Sequence, residues 1–412
     1  MNRALVKGWC PGALRPMESG DGLVVRLKPT GGIVPTGLAA KIADWSARWG
    51  NGQIDLTSRA NLQLRGVTVD GLPVLQSAMA EAELLDASPD GEAVRNVVAS
   101  PLAGVDPDAI LDIRPVVAKL EARLAGDPRL HALPSKFGAA VDDGGRVGPG
   151  DVPADIRFEA RSTADGPIFE IHLDGEDGGE ISFCKPDEVP EVAASLGYAM
   201  LAQSGLSRKR ARGSGRGVHP ATSLKRGIEL GVRRLNRAPF PGMSAAFLGL
   251  GLPFGRVSTE ALASLAKSAE SHGASELRLA SWRAILVPMP TVDATQRLAA
   301  GLSSADFILD DGDPRRSIAA CVGSPACSRA TTDTRADASR MAGTAAGAAI
   351  LHVSGCSKGC AHPRPAAITL VGRNGLYDLV CNGAAWDQPC RTGMSATEAA
   401  EQARLITAGA MA

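Results

Sequence analysis

Four of the eight cysteines in this 412-residue chain stand in two tight pairs. Cys321 and Cys327 lie in CVGSPAC, and Cys356 and Cys360 in HVSGCSKGCAHPRP. Four thiolates can hold a tetrahedral zinc ion or an iron–sulfur cluster. Zinc sites favour about two to four residues between paired cysteines, because both sulfurs must reach one small ion. The longer CVGSPAC loop spans the corners of a cubane more comfortably. Gly355 and Gly359 let the backbone approach inorganic sulfide and offer it N–H donors. The pattern favours a [4Fe–4S] cluster, with structural zinc and unligated thiols as the alternatives; the spacing is not that of ferredoxin runs. Cys10, Cys184, Cys381 and Cys390 are scattered and read as buried apolar residues.

Lysine plus arginine and aspartate plus glutamate both number 44, so net charge gives no pull toward nucleic acid or membrane. No run approaches the roughly 18–20 apolar residues of a membrane span, and MNRALVKGWCPG has no signal-peptide core. A cytoplasmic location is expected. That compartment keeps thiols reduced, so the cysteines are not read as a disulfide framework.

The elements that must position these thiols show a duplication. Residues 27–62 match 251–286 without gaps, placing Pro29 on Pro253, Gly31 on Gly255, Leu38 on Leu262, Arg59 on Arg283 and Leu62 on Leu286. Both copies read as strand, glycine turn, amphipathic helix and alternating strand. Strand-like IFEIHL (168–173), helix-like EVAASLGYAMLAQSGL (191–206) and basic SRKRARGSGRG (207–217) lie between them. The strand AAITLVG (366–372) and a helix around ATEAAEQARLI follow the cysteines. Four segments are expected: a half-domain at 1–75, a middle α/β domain at 76–238, a second half-domain at 239–305 and a cluster domain at 306–412.

The C-x5-C…C-x3-C signature resembles that of the nitrite and sulfite reductase family, whose members pair a [4Fe–4S] cluster with sirohaem. IDLTSRANLQLRGV, VRNVVASP and LPSKFG are similar to three further family segments. The resemblance implies an α+β fold: two ferredoxin-like half-domains pairing across a pseudo-twofold, plus two further α/β domains, with a tetrapyrrole pocket at their junction. It makes Cys321, Cys327, Cys356 and Cys360 the cluster ligands, with Cys360 facing the pocket, and Arg59, Arg95 and Lys136 contacts to tetrapyrrole carboxylates. One departure stands out: Gly138 replaces the second lysine of the LPSKFG segment.

The opening CPGALRPMESGDGLVVR resembles the precorrin-3B synthases, the oxygen-dependent branch of the family. That resemblance implies a monooxygenase hydroxylating precorrin-3A at C20 with O₂, with lactone closure from the ring A acetate. It also implies electrons entering through the cluster from an external NAD(P)H-linked donor, and with no G-x-G-x-x-G following a strand, no nicotinamide or flavin domain is expected on this chain. Arginine suits bidentate carboxylate pairing best. The candidates for the substrate's carboxylates are therefore Arg15, Arg26, Arg59, Arg65, Arg95, Lys136, Arg208, Lys209, Arg210 and Arg212, with Arg26 and Lys209 favoured as solvated surface charges. The resemblance also implies a mononuclear non-haem iron, although no 2-His-1-carboxylate set is readable. His352 and His362 are the nearest candidates, and no catalytic residue is assigned. The alternatives are a sirohaem-dependent sulfite or nitrite reductase and a non-enzymatic cluster protein that delivers tetrapyrrole or senses oxygen.

Overall fold

The computed structural model describes residues 10–174, 182–204, 231–234, 245–343 and 350–407. The basic stretch 207–217, with Arg208, Lys209, Arg210 and Arg212, lies outside them. The architecture is α+β, with four five-stranded sheets among the described residues.

The first half comprises β1 (Met17–Ser19), β2 (Gly22–Leu27), β3 (Ile33–Pro35), α1 (Thr36–Trp49), β4 (Gln53–Leu56), β5 (Leu62–Val67) and α2 (Gly71–Glu81). Leu75, Met79 and Leu84 join its core, which carries this unit past the boundary expected at residue 75. A middle unit follows: α3 (Pro89–Val94), β6 (Val97–Ala99), α4 (Arg114–Gly126), β7 (Ala139–Asp142), β8 (Ile156–Thr163), β9 (Gly166–Leu173), β10 (Ser182–Cys184) and α5 (Val189–Ser204). The second half contains β11 (Gly231–Arg234), β12 (Ala246–Gly251), β13 (Arg256–Ser258), α6 (Thr259–Ser271), β14 (Glu276–Ala280), β15 (Ala284–Met289) and α7 (Val292–Ala300). Pairing of β11 with β12 brings this half forward of residue 239. The last unit carries β16 (Ile318–Ala320), α8 (Thr334–Arg340), β17 (Leu351–Ser354), β18 (Ala366–Arg373), β19 (Leu376–Gly383), β20 (Arg391–Met394) and α9 (Ala396–Thr407).

The two halves exchange a strand. The first sheet runs β1-β2-β5-β4-β13 and its counterpart β11-β12-β15-β14-β3, so β3 and β13 each complete the other half's sheet. Apolar faces of α1 (Ala39, Ile42, Ala43) and α6 (Leu262, Leu265, Ala266, Ala269) meet in one shared core. Ile42 and Leu265 are both fully buried.

The duplication is real, but its register differs by one residue from the gapless match. Left-handed backbone falls at Gly31, Gly32 and Ala60 in the first half and at Phe254, Gly255 and Arg283 in the second. The β2–β5 pair Leu27–Leu62 corresponds to Leu250–Ile285. Shared prolines and glycines pulled the sequence match off the true correspondence, which pairs Ala60 with Arg283 and Arg59 with Trp282. Left-handed backbone costs a non-glycine residue about 1–2 kcal/mol. At Phe254 the ring is buried in the core of the last unit, and burial of such a side chain contributes about 1.5–3 kcal/mol. That contact offsets the strain and docks the second half onto the last unit.

The middle and last units share a topology. Strands β6, β7 and β8 are parallel, with β9 and β10 continuing antiparallel. Strands β16, β17 and β18 are likewise parallel, followed by antiparallel β19 and β20.

Candidate functional site

The four clustered thiols leave the C-terminal ends of two parallel strands. Cys321 follows β16 directly, and its N–H donates to Val353 O at 3.2 Å. Gly355 N–H, just past β17, donates to Cys321 Sγ at 3.2 Å. Thr334 Oγ1 donates to Cys321 O at 2.8 Å and lies 3.7 Å from its sulfur. A Cβ at Gly355 would fall 2.5 Å from Ala330 Cβ, so only glycine lets this backbone approach the thiol. Cys327 is placed by its N–H bond to Gly323 O at 2.7 Å.

The first half clamps the same loop. Ala326 O accepts from Ser19 Oγ (2.6 Å), Arg65 Nη2 (2.8 Å) and Gly20 N (3.1 Å). Arg65 is in turn bound to both Asp21 oxygens, at 2.6 and 2.9 Å. Its guanidinium thus serves the cysteine loop.

Cys360 is exposed and electrostatically close to Cys321, Cys356 and Cys327. Desolvation, reinforced by those thiols and offset by Lys358, pushes it up to about 11. All four cysteines are free of disulfides. Among the described residues, no three His, Cys, Asp or Glu side chains close around a point fit for a single metal ion. An N–H donor on sulfur, as at Cys321 Sγ, is one of the contacts that tune a cluster-bound thiolate.

Behind this loop lies His352, fully buried on β17, with neither ring nitrogen hydrogen-bonded among the described residues. Its ring is 5.8 Å from that of His362. Burial, then His362, pushes it down to about 4, so the ring is neutral near pH 7.

The basic candidates separate into two groups. Arg95 sends Nε and Nη2 to Asp86 (2.7 and 2.8 Å) and Nη1 to Glu121 (2.8 Å). Together with Arg65, it is held by internal acceptors, and both act as braces between units. Arg15 is exposed and 3.5 Å from Asp90. Arg59 has no carboxylate in ion-pair contact among the described residues; its Nη2 donates to Lys136 O. Burial lowers its proton affinity.

Arg26 is not the solvated charge expected. Burial lowers it too, with Cys10 hydrogen-bonded to it and Arg59 near enough to repel it. The Gln63 amide oxygen, turned to satisfy both groups, accepts from Arg26 Nη2 at 2.9 Å. Lys136 is exposed, and a Cβ on Gly138 would stand 3.6 Å from Arg59 Nη1. The lysine absent at 138 is therefore absent from the side of Arg59.

Arg283 occupies the corresponding turn of the second half. Burial lowers it, partly offset by Asp55. Arg283 and Arg364 both act on His362, which ties this turn to the cysteine segment. Burial of guanidinium without an ion-pair partner is costly, and among the described residues Arg26, Arg59 and Arg283 have no carboxylate in ion-pair contact. The sequence reading missed Arg283 and Arg364. Arg283 was legible only as the misregistered partner of Arg59, and Arg364 only as part of HPRP.

The fold and these two features define the class. Residues 15–82 match the family model for the nitrite/sulfite reductase ferredoxin-like half domain, and residues 90–228 that for the nitrite and sulphite reductase 4Fe-4S domain. The chain belongs to the nitrite and sulfite reductase family. It is 36% identical over 398 residues to a precorrin-3B synthase from a Sinorhizobium species, covering 92% of this chain and 83% of that protein. It is 28% identical over 406 residues to a ferredoxin–nitrite reductase of Synechococcus elongatus, covering 87% and 77%. The solved structure of Mycobacterium tuberculosis NirA superposes with a TM-score of 0.70 at 19% identity, over 94% of this chain and 80% of that one, and shows the same fold. No described helix is long and apolar enough to cross a membrane.

Proposed function

We propose that the chain is a precorrin-3B synthase, an O₂-dependent monooxygenase that hydroxylates precorrin-3A at C20 and closes a lactone from the ring A acetate. The similarity to the Sinorhizobium enzyme supports this reading. The single structural observation that carries it is the set of half-buried guanidiniums at Arg26, Arg59 and Arg283, none with a carboxylate in ion-pair contact among the described residues, with Arg283 acting on His362 of the cysteine segment.

Cys321, Cys327, Cys356 and Cys360 would hold a [4Fe–4S] cluster, which supplies single electrons drawn from an external NAD(P)H-linked donor. Arg26 and Arg59 take substrate carboxylates by charge-assisted bonds. Arg283 from the second half and Arg364 from the last unit do the same. Gly138 leaves the flank of Arg59 open, which suits a bulky polycarboxylate over a small oxyanion. Two electrons and two protons balance the reaction: one oxygen atom of O₂ enters the product and the other leaves as water. His352, neutral and shielded, keeps charge away from the loop during electron arrival.

Aerobic incubation of the reduced protein with precorrin-3A tests the reading, and the product mass should rise by one oxygen. Purified protein with strong sirohaem Soret and red bands at full occupancy, and no such product, would replace it with sulfite or nitrite reduction. Arg59→Ala should weaken substrate binding by about tenfold to a hundredfold, the weight of one charge-assisted contact. Its iron and sulfide content should stay unchanged.

A further inference from the structure

Of the four scattered cysteines only Cys184 is buried as expected; Cys381 and Cys390 are exposed, and Cys10 is half-buried. Cys10 opens a loop, residues 10–15, that both the first half and the middle unit hold. Gly12 N–H closes the loop on itself by donating to Arg15 O at 3.0 Å. Gly12 O accepts from Arg26 N–H on β2 at 3.3 Å, and Ala13 O accepts from Gln76 Nε2 on α2 at 2.8 Å. The next two N–H groups of the loop meet one side chain. Glu92, on α3 and 3% exposed, accepts from Ala13 N–H through Oε1 (2.5 Å) and from Leu14 N–H through Oε2 (3.1 Å). A Cβ at Gly12 would overlap that carboxylate, so only glycine lets it close on the loop. Lys28 Nζ seats the backbone behind it, donating to Glu92 O at 2.5 Å and to Asn96 Oδ1 at 2.9 Å.

We propose that Glu92 is a positioning residue for the substrate site, a latch that holds the 10–15 loop beside Arg26 and so sets how tightly substrate carboxylates are bound there. The inference rests on the function proposed above. Gly12 and Arg26 are joined through their backbones, so a loop that swings away takes one wall of the Arg26 site with it. A carboxylate suits the task because it has two acceptors and no donor, whereas an amide would turn its NH2 on one of the two N–H groups. A buried N–H left without its acceptor is costly. Glu92 is near enough to act on Arg26, yet both its oxygens are taken by backbone. The latch therefore does not neutralise the guanidinium.

Full-length Glu92→Gln and Gly12→Ala disturb the latch from opposite sides and test it. Hydrogen–deuterium exchange, read by mass spectrometry, should speed up in the peptide spanning the loop and stay unchanged in β4 and β5. Titration with precorrin-3A should show about tenfold weaker binding in each variant, the weight of one lost contact. Iron and sulfide content, and the hydroxylation rate at saturating precorrin-3A, should stay at wild type. The double variant should bind no more weakly than the weaker single one, because both changes open the same latch.

Wild-type affinity in Glu92→Gln overturns the proposal, as does unchanged loop exchange, loss of iron from both variants, or weakening that multiplies in the double variant. Wild-type protein that binds precorrin-3A without hydroxylating it, with affinity still falling in Glu92→Gln, overturns the function and upholds the latch. Wild-type protein that hydroxylates precorrin-3A, with Glu92→Gln binding it equally well, overturns the latch alone.

Discussion

The middle and last units are two versions of one fold that differ at two strand ends. Ser100 N–H donates to Val141 O at 3.0 Å, as Cys321 N–H donates to Val353 O at 3.2 Å. The next contact is also shared: Asp143 N–H meets Ser100 Oγ at 3.0 Å, and Gly355 N–H meets Cys321 Sγ at 3.2 Å. One copy has a hydroxyl where the other has a thiol, and an aspartate where the other has glycine. In the middle unit the loop closes on itself, through Ser100 Oγ to Asp142 Oδ1 (3.3 Å) and Gly145 N to Asp143 Oδ1 (2.9 Å). In the last unit the equivalent donor, Gly355 N–H, lies on the Cys321 sulfur. The backbone scaffold is indifferent to metal; the side chains it carries decide. The family model named for a 4Fe-4S domain matches residues 90–228, which is the copy without the thiol quartet.

The sharpest way to break this comparison is Cys356→Ser, which should empty the last unit of iron and sulfide altogether, as read by chemical quantification. Wild-type iron in that variant would sink the assignment.

Next in size is the docking of the last unit. Asp55 binds Arg256 (2.8 and 3.1 Å) and Arg335 (2.7 Å), and Arg335 follows Thr334, the partner of Cys321. Against the desolvation that raises it, Arg335 and Arg256 hold the Asp55 carboxyl far below the usual range. A depressed carboxylate contributes stability that is complete above an unfolded value of about 3.9 and lost as pH falls below it. Asp55→Asn should cost about 3–5 kcal/mol near pH 7 and weaken the acid sensitivity, measured by denaturant titration across pH. The middle unit docks differently, with Lys28 Nζ on Asn96 Oδ1 (2.9 Å) and Glu121 accepting from Thr30 Oγ1 (3.0 Å).

A smaller effect distinguishes Asp143 from its counterpart Gly355. Burial pushes Asp143 up to about 7, and its Oδ2 has no hydrogen-bond partner among the described residues. For a carboxyl raised on folding, the contribution is full below about pH 4 and is lost as pH rises to about 7. Asp143→Asn should remove that decline, an effect of at most about 4 kcal/mol at pH 8. An unchanged slope in the pH–stability profile would contradict it. Smallest of all, Ser100→Cys should change stability by about 1 kcal/mol or less and bind no additional iron.

Much of the architecture was legible. Alternation and helical spacing gave β9, β18, α5 and α9, and the half-domain duplication showed through alanine-rich sequence. Its register did not, because repeated proline and glycine outweighed positions held only by backbone conformation. The second duplication escaped as well: Ser100 and Cys321, or Asp143 and Gly355, have nothing in common except place. Of the basic residues, Arg59 has no carboxylate in ion-pair contact among the described residues, whereas Arg95 and Arg65 are tied up internally.

The sequence by itself determined the thiol quartet and its glycines, because cysteine spacing and backbone freedom are local properties. Only the tertiary structure decided which cations are left for a ligand. Asp55 meets Arg335 across 280 residues and Arg256 across 201. Whether an arginine is a brace or a binding group depends on which carboxylate folding brings within about 3 Å.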